Sequence, residues 1–451
     1  MPIGDVKEVW RLAWPAVALN GLQVINSLLD TYFVGHLPKS ALTAHGSALN
    51  VIFLMFSLIM TVSVASTALV SRAFGAKQEA EYKEANRRCL VLGFLFGVVM
   101  MLVGLAIVPL LPRILVPETD HVAAEQFIKF LSIFSCSLPA SAIITVLAGS
   151  LRGVGDTKSP MFFSGLQILI HMILNFFLIF PSREMYGVNV PGAGMGLPGA
   201  ALALAISAWL SAVIYLFFVR GTALGNSFNF EIPTKSWTNR VFNIAGPGAL
   251  QAILRVLSFS VFTFLLKSAP GAENAMGALR IGIAIEAIMF MPAFGLSMAA
   301  GALVGQNLGA KKPERAHQLG WVAGHSAAIV VAILSIPTFI FAPQIADILT
   351  GGDKPGIAYQ AMMYIRILIV TEILFAYAMV MIGALQGAGD TRRTTWITIA
   401  SLWGLRVPLA LVLIHFFGPT GAWIAMSGSQ AAQGLMAMWT WNQGHWKTIK
   451  V

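Results

Sequence analysis

TALVSRAFGAK at residues 67–77 returns as GALVGQNLGAK at residues 301–311, and LRGVGDTKSP at 151–160 returns as LQGAGDTRRT at 385–394. Both pairs are displaced by 234 residues. Small apolar residues could produce either match alone, but a shared offset marks a duplicated half. Two domains are therefore expected, an N-lobe over 1–222 and a C-lobe over 223–451.

Only 11% of the 451 residues are charged and 57% are hydrophobic, whereas a soluble domain carries about 25% charged residues. A soluble core of this size would lack the charge to cover its surface, and a disordered chain shows the opposite balance. The expected class is an all-α polytopic membrane protein. Apolar runs mark twelve candidate spans, at 12–35, 43–71, 88–112, 122–149, 160–181, 197–219, 240–267, 275–306, 319–345, 358–386, 394–417 and 420–441. Six spans per lobe is an even number, so the lobes share one orientation and are related by a pseudo-two-fold axis along the membrane normal.

Of the 29 Lys and Arg, 19 fall at the termini and in loops after even-numbered spans, 5 in the opposite loops and 5 within spans. That asymmetry puts both termini in the cytoplasm of a multi-pass inner (plasma) membrane protein. It also accounts for the net charge of +10, so nucleic acid is not expected as a partner. The opening MPIGDVKEVWRL mixes acids with bases and runs into an apolar span without a small-residue cleavage site, as an uncleaved first helix does. Cys89 and Cys136 form no CxxC pair and have no His at ligand spacing, so neither a disulfide framework nor a metal site is expected.

Nucleotide chemistry finds no support. GVGDTKS at 153–159 has Thr157 where a P-loop needs glycine before the lysine, and the second copy replaces Lys-Ser by Arg392-Arg393. A tight turn with glycine at positive φ and Asp as a helix cap fits better. GMGLPG at 194–199 matches GxGxxG, but no strand is expected before it and Pro198 interrupts it, so it is read as a loop. HExxH and GxSxG are absent from the chain. Neither an enzyme nor a cofactor is expected, and energy would come from an ion gradient. Two like-oriented bundles form a cleft that opens alternately to either side, which favours a transporter over a channel or receptor.

Coupling to an ion needs an ionisable group inside the membrane. Away from the span ends, the carboxylates within spans are Asp30, Glu286 and Glu372. Asp30 lies about 27 Å along the first span at 1.5 Å per residue, in the outer half of the bilayer. Asn20, Gln23, Ser27, Asp30 and Thr31 share one helical face, expected to line the N-lobe cavity. Burial would let Asp30 load and release a proton, and with Asn and Gln oxygens it could instead bind Na+. Asn175 in the fifth span is a second cavity candidate, able to ligate a cation or hold Asp30, whereas His171 is expected to be a hydrogen-bonded core histidine. In the seventh span Gln251, Arg255 and Ser258 form a matching stripe. Arg255 is expected to pair with Glu286 or Glu372, with a substrate contact as the alternative, and Arg280 to lie near the outer mouth. For Glu286 and Glu372, structural and functional roles are equally open. Pro15 and Pro247 open the two halves alike and are candidate hinges.

LDTYFVGHL (29–37), the ALV-x4-GAK loop, LRGVGDTKSP and LNFFLIF (174–180), in this order and with a doubled half, resemble the multidrug and toxic compound extrusion (MATE) family. The likeness covers essentially the whole chain. Each motif alone is weak and the combination is specific; the first span looks most like the DinF-type branch. The resemblance implies twelve helices in two six-helix lobes forming a V. It also implies export of diverse, often cationic or amphipathic drug-like compounds in exchange for H+ or Na+, with no obligatory protein partner indicated. It carries the coupling carboxylate onto Asp30, the bending proline onto Pro15 and the helix-5 amide onto Asn175. Ile179 stands where some relatives place a second acid, which favours protons. Glu372 is the one possible match to the C-lobe acids of NorM-type relatives, and Arg280 is a counterpart of the Arg that certain DinF-type members pair with the helix-1 Asp. The alternative is a lipid or oligosaccharide-lipid flippase of the same superfamily, which would tend to have more spans and a basic cavity.

Overall fold

The computed structural model describes residues 2–185, 188–225 and 231–449. The first half holds α1 (Ile3–Gly35), α2 (Lys39–Gly75), α3 (Glu79–Ile107), the short α4 (Pro112–Leu115), α5 (His121–Ser135), α6 (Leu138–Gly153), α7 (Lys158–Ile179), a hairpin of β1 (Pro181–Met185) and β2 (Val188–Ala193), and α8 (Leu197–Val219). The second half holds α9 (Lys235–Lys267), α10 (Ala272–Gly309), α11 (Pro313–Ile340), α12 (Ala342–Thr350), α13 (Pro355–Gly387), α14 (Thr391–Thr398), a π-helical stretch (Ile399–Arg406), α15 (Val407–Phe417) and α16 (Pro419–Asn442).

Among the described residues, ten helical segments are long and apolar enough to cross a membrane, and α5 with α6, bent by 45°, makes an eleventh. The bend falls where Pro139 enters α6 and where Ser135 and Ser137 turn their hydroxyls back onto the carbonyls of Leu131 and Phe134. The twelfth span is α16, which is more polar because Ser427, Ser429, Gln430 and Gln433 are all buried along it. The hairpin departs from the sequence expectation, since a strand does precede GMGLPG. Arg183 pairs with Val190 across it, and the Ser182 hydroxyl both donates to and accepts from the Gly192 backbone. Gly196 then turns the chain into α8 at φ +61.

The duplication extends to single bonds. Lys77 and Lys311 both adopt φ 58, and Gly155 and Gly389 both adopt φ 88. Ser63 Oγ donates to the Thr145 carbonyl at 2.6 Å, and Ser297 Oγ, 234 residues on, donates to the Met379 carbonyl at 2.8 Å. Gly149 and Gly383 let these helix pairs approach: an added Cβ would lie 2.6 Å from the Ser63 carbonyl oxygen in one and 2.7 Å from that of Ser297 in the other. Asp156 caps α7 by accepting from Ser159 N at 3.0 Å, and Asp390 caps α14 by accepting from Arg393 N at 3.3 Å. Burial raises the Asp390 carboxyl above its ordinary value, against the pull of Arg393.

Packing exchanges two short segments between the sequence halves. One compact unit is Ala18–Ala245; the other joins residues up to Val17 with those from Gly246 onward. The boundaries fall inside α1, two residues past Pro15, and inside α9, directly before Pro247. Within the first unit, Phe127, Leu131 and Phe134 of α5 form a core with Met55 and Ile59 of α2, and Arg240 at the start of α9 meets Glu81 of α3 at 2.9 Å. Within the second, Val9, Leu12 and Ala13 of α1 share a core with Leu303 of α10 and Leu319 of α11. Arg315 of α11 meets Asp5 and Glu8 at 2.7 Å each, and Gln318 donates to Asp5 at 2.6 Å.

Candidate functional site

Asp30 sits in the C-terminal half of α1, against the C-terminal half of α7. Asn26 is one turn before it on α1, and His171 and Asn175 are one turn apart on α7, so an i,i+4 pair from each helix meets the other. Asn175 Nδ2 donates to Asp30 Oδ1 at 2.8 Å and Asn26 Nδ2 donates to Oδ2 at 3.3 Å. His171 Nδ1 lies 3.1 Å from Asn26 Oδ1, and its Nε2 lies 3.8 Å from Asp30 Oδ1. Asn175 and His171 are 0% and 4% exposed, while Asp30 is half-buried. The carboxylate thus receives two side-chain donors and faces a histidine ring. Among the described residues, Asn175 Oδ1 is left without a partner.

The expected stripe divides at this site. Asp30 and Asn175 come together. Gln23, Ser27 and Thr31 are exposed, with the Thr31 hydroxyl bonded to the Ser27 carbonyl, and half-buried Asn20 leaves its Nδ2 without an acceptor. Asn26 and His171 were not expected here, although each precedes a chosen residue by four, a spacing that the sequence displays.

The second unit buries its own acids. Glu286 on α10 accepts from Gln430 Nε2 of α16 at 3.3 Å. Glu372 on α13 is 1% exposed, and among the described residues neither of its carboxyl oxygens has a donor in hydrogen-bond geometry. Arg406, in the π-helical stretch, is buried and donates from Nε to Ser429 Oγ at 2.9 Å. The polar residues of α16 therefore serve buried charges from two other elements, which is why this span is the least apolar.

Arg255 does not pair with Glu286 or Glu372: among the described residues, no ion pair joins them. Its helix is turned elsewhere. Gln251 Nε2 donates to Thr398 Oγ1 at 2.8 Å, Thr395 Oγ1 donates to the Pro247 carbonyl at 2.8 Å, and Trp403 donates to the Leu254 carbonyl at 3.0 Å. This stretch of α9 is thereby bonded to the segment 391–406. Gln251 also accepts from Gln386 of α13 at 3.3 Å, so it links three helices. Arg280 of α10 is exposed.

The MatE family profile matches the chain twice, over residues 15–177 and 247–412. The chain belongs to the MatE family. Each match opens on one of the two prolines next to which the packing boundaries lie. MatE proteins are multi-pass membrane transporters and not enzymes. This MatE chain is 28% identical to the probable multidrug resistance protein NorM of Thermotoga maritima, over 98% of this chain and 93% of that protein. It is 26% identical to the probable multidrug resistance protein YoeA of Bacillus subtilis, over 98% and 96%. A MOP-superfamily transporter from Pyrococcus furiosus superposes with a TM-score of 0.88 at 20% identity, covering 97% of this chain and 95% of that one. An outward-facing multidrug resistance MATE-family transporter superposes with a TM-score of 0.89 at 20% identity, covering 99% and 97%. These likenesses establish the MatE fold of twelve helices in two lobes.

Proposed function

We propose that this MatE protein is a secondary active efflux transporter that exchanges H+ for cationic or amphipathic drug-like compounds by alternating access, with Na+ as the alternative ion. Asp30 is its coupling carboxylate. The observation that carries this reading is the constellation around Asp30, an acid inside a span held by two amides and facing an imidazole. Placing an acid there is costly unless it has a task. The family and the relatives described as multidrug resistance proteins support the substrate class. Pro15 and Pro247, next to the boundaries between packing units, support hinging there, with the sequence halves 1–222 and 223–451 acting as lobes apart from the exchanged segments 1–17 and 223–245. The charge asymmetry supports both termini facing the cytoplasm from the inner (plasma) membrane.

Glu286 and Glu372, both buried in the second unit, add two acids for the same task. A carboxyl as buried as Glu372, with no donor, is stable in the span when it holds a proton or a cation.

Reconstitution into liposomes loaded with an organic-cation dye, with H+ and Na+ gradients imposed separately, tests the function. Dye efflux under a proton gradient is the expected result. Movement of a fluorescent phospholipid between leaflets, with no dye efflux, would favour the flippase.

A further inference from the structure

We propose that His171 is the residue that reserves the Asp30 site for protons and excludes Na+; this rests on the reading of Asp30 as the coupling carboxylate. Asn26 uses its Nδ2 to donate to Asp30, so its Oδ1 is the atom turned to His171, which donates to it from Nδ1. The neutral ring then carries no hydrogen on Nε2, and Nε2 is the atom 3.8 Å from Asp30 Oδ1. Two proton-accepting atoms therefore face one another. At 3.8 Å they share no hydrogen bond; a proton on either would turn two facing acceptors into a donor and an acceptor.

The same bond disfavours a metal cation. Hard cations are held by oxygens, and several are needed to replace the water they lose. Around Asp30 both amides present nitrogen, and the Asn26 oxygen is held away by His171. Asn175 Oδ1 is the one amide oxygen of the site without a partner. Where a further oxygen would have to stand, the site presents an imidazole nitrogen. Ile179, one turn beyond Asn175, is buried and offers no oxygen from its side chain.

Asp30 is the titratable group facing His171. α8, also packed on α7, carries one titratable side chain, Tyr215, which contacts Phe163 nearer the opposite end of α7. Arg152 of α6 is turned to Ser63 of α2.

The test is His171→Gln in proteoliposomes. Glutamine releases the Asn26 amide and can set an oxygen near the position of Nε2. Wild-type dye efflux should respond to a proton gradient and not to a Na+ gradient alone. The variant should gain efflux under a Na+ gradient alone, at least about fivefold over its gradient-free rate. A histidine with only a structural role would lower both responses and leave their ratio unchanged, and that outcome overturns the proposal. Wild-type efflux driven by Na+ alone overturns it as well. If Asp30→Asn leaves wild-type efflux intact, the underlying assignment fails instead. Should His171→Gln not reach the membrane, His171→Asn likewise releases the Asn26 amide and replaces the ring nitrogen by an amide, and it is read in the same way.

Discussion

Asn175 donates its side-chain amide to Asp30 at 2.8 Å across 145 residues of chain, joining the first span to the fifth through a single bond to a carboxylate. A hydrogen bond to a charged group is worth about 1.5–3 kcal/mol. It restrains the carboxylate, and it is strongest while that group is ionised. On the proposed reading, a proton loaded onto Asp30 would weaken the bond and loosen the hold of α7 on α1, so that occupancy of Asp30 would be felt beyond the site.

Asp30→Asn should reduce proton-driven efflux to the gradient-free rate, a loss of at least about tenfold. The amide fills the same volume and can still meet Asn175, so the variant should elute as a folded monodisperse species on gel filtration. Initial rates of dye efflux from proteoliposomes measure it, and unchanged efflux removes Asp30 from coupling.

Asn175→Leu keeps the bulk and deletes the donor. If the 2.8 Å bond holds the productive geometry, efflux should fall roughly ten- to hundredfold, the kinetic equivalent of the 1.5–3 kcal/mol above. The same flux assay reads it, and a loss under twofold would show that Asn26 suffices.

Gln430→Leu should destabilise the second unit, because it takes a donor from buried Glu286, a loss of about 1–3 kcal/mol. Glu286→Gln added to it should recover part of the loss. A double-mutant cycle of thermal unfolding in detergent measures the coupling, and strictly additive shifts would mean that the two side chains do not interact.

Gly149→Ala and Gly383→Ala should each lower the unfolding temperature, with about 1–3 kcal/mol lost to overpacking. Both new methyl groups would meet a serine carbonyl, Ser63 in one case and Ser297 in the other. Gly165→Ala is the control, since its nearest neighbour is the Leu22 Cδ1 at 3.5 Å. Equal melting of all three would contradict the close approach.

Much of the architecture was legible because a duplicated membrane protein repeats its constraints. Lys77 with Lys311 and Gly155 with Gly389 share backbone angles that the 234-residue offset alone suggests. The hairpin was illegible: 181–193 lies in one half only, carries proline and glycine, and shows no alternating pattern. In the site, helical periodicity selected Asp30 together with Ser27 and Thr31, but the face that meets α7 is shifted to include Asn26. Periodicity finds a polar face without stating which neighbour it meets. Arg255 was paired with an acid on charge alone, whereas backbone contacts at Pro247 and Leu254 set the direction of that helix.

The salt bridge between Asp5 and Arg315 closes over 310 residues. At a synthesis rate of about 5–20 residues per second, the first turns of α1 emerge roughly 15 to 60 s before α11 exists to receive them. Asp5 and Glu8, with the apolar side chains of Val9, Leu12 and Ala13, wait for that interval without their native partners. The first helix to be made is therefore among the last to be seated, and completion of the second unit requires the chain to return to its own beginning.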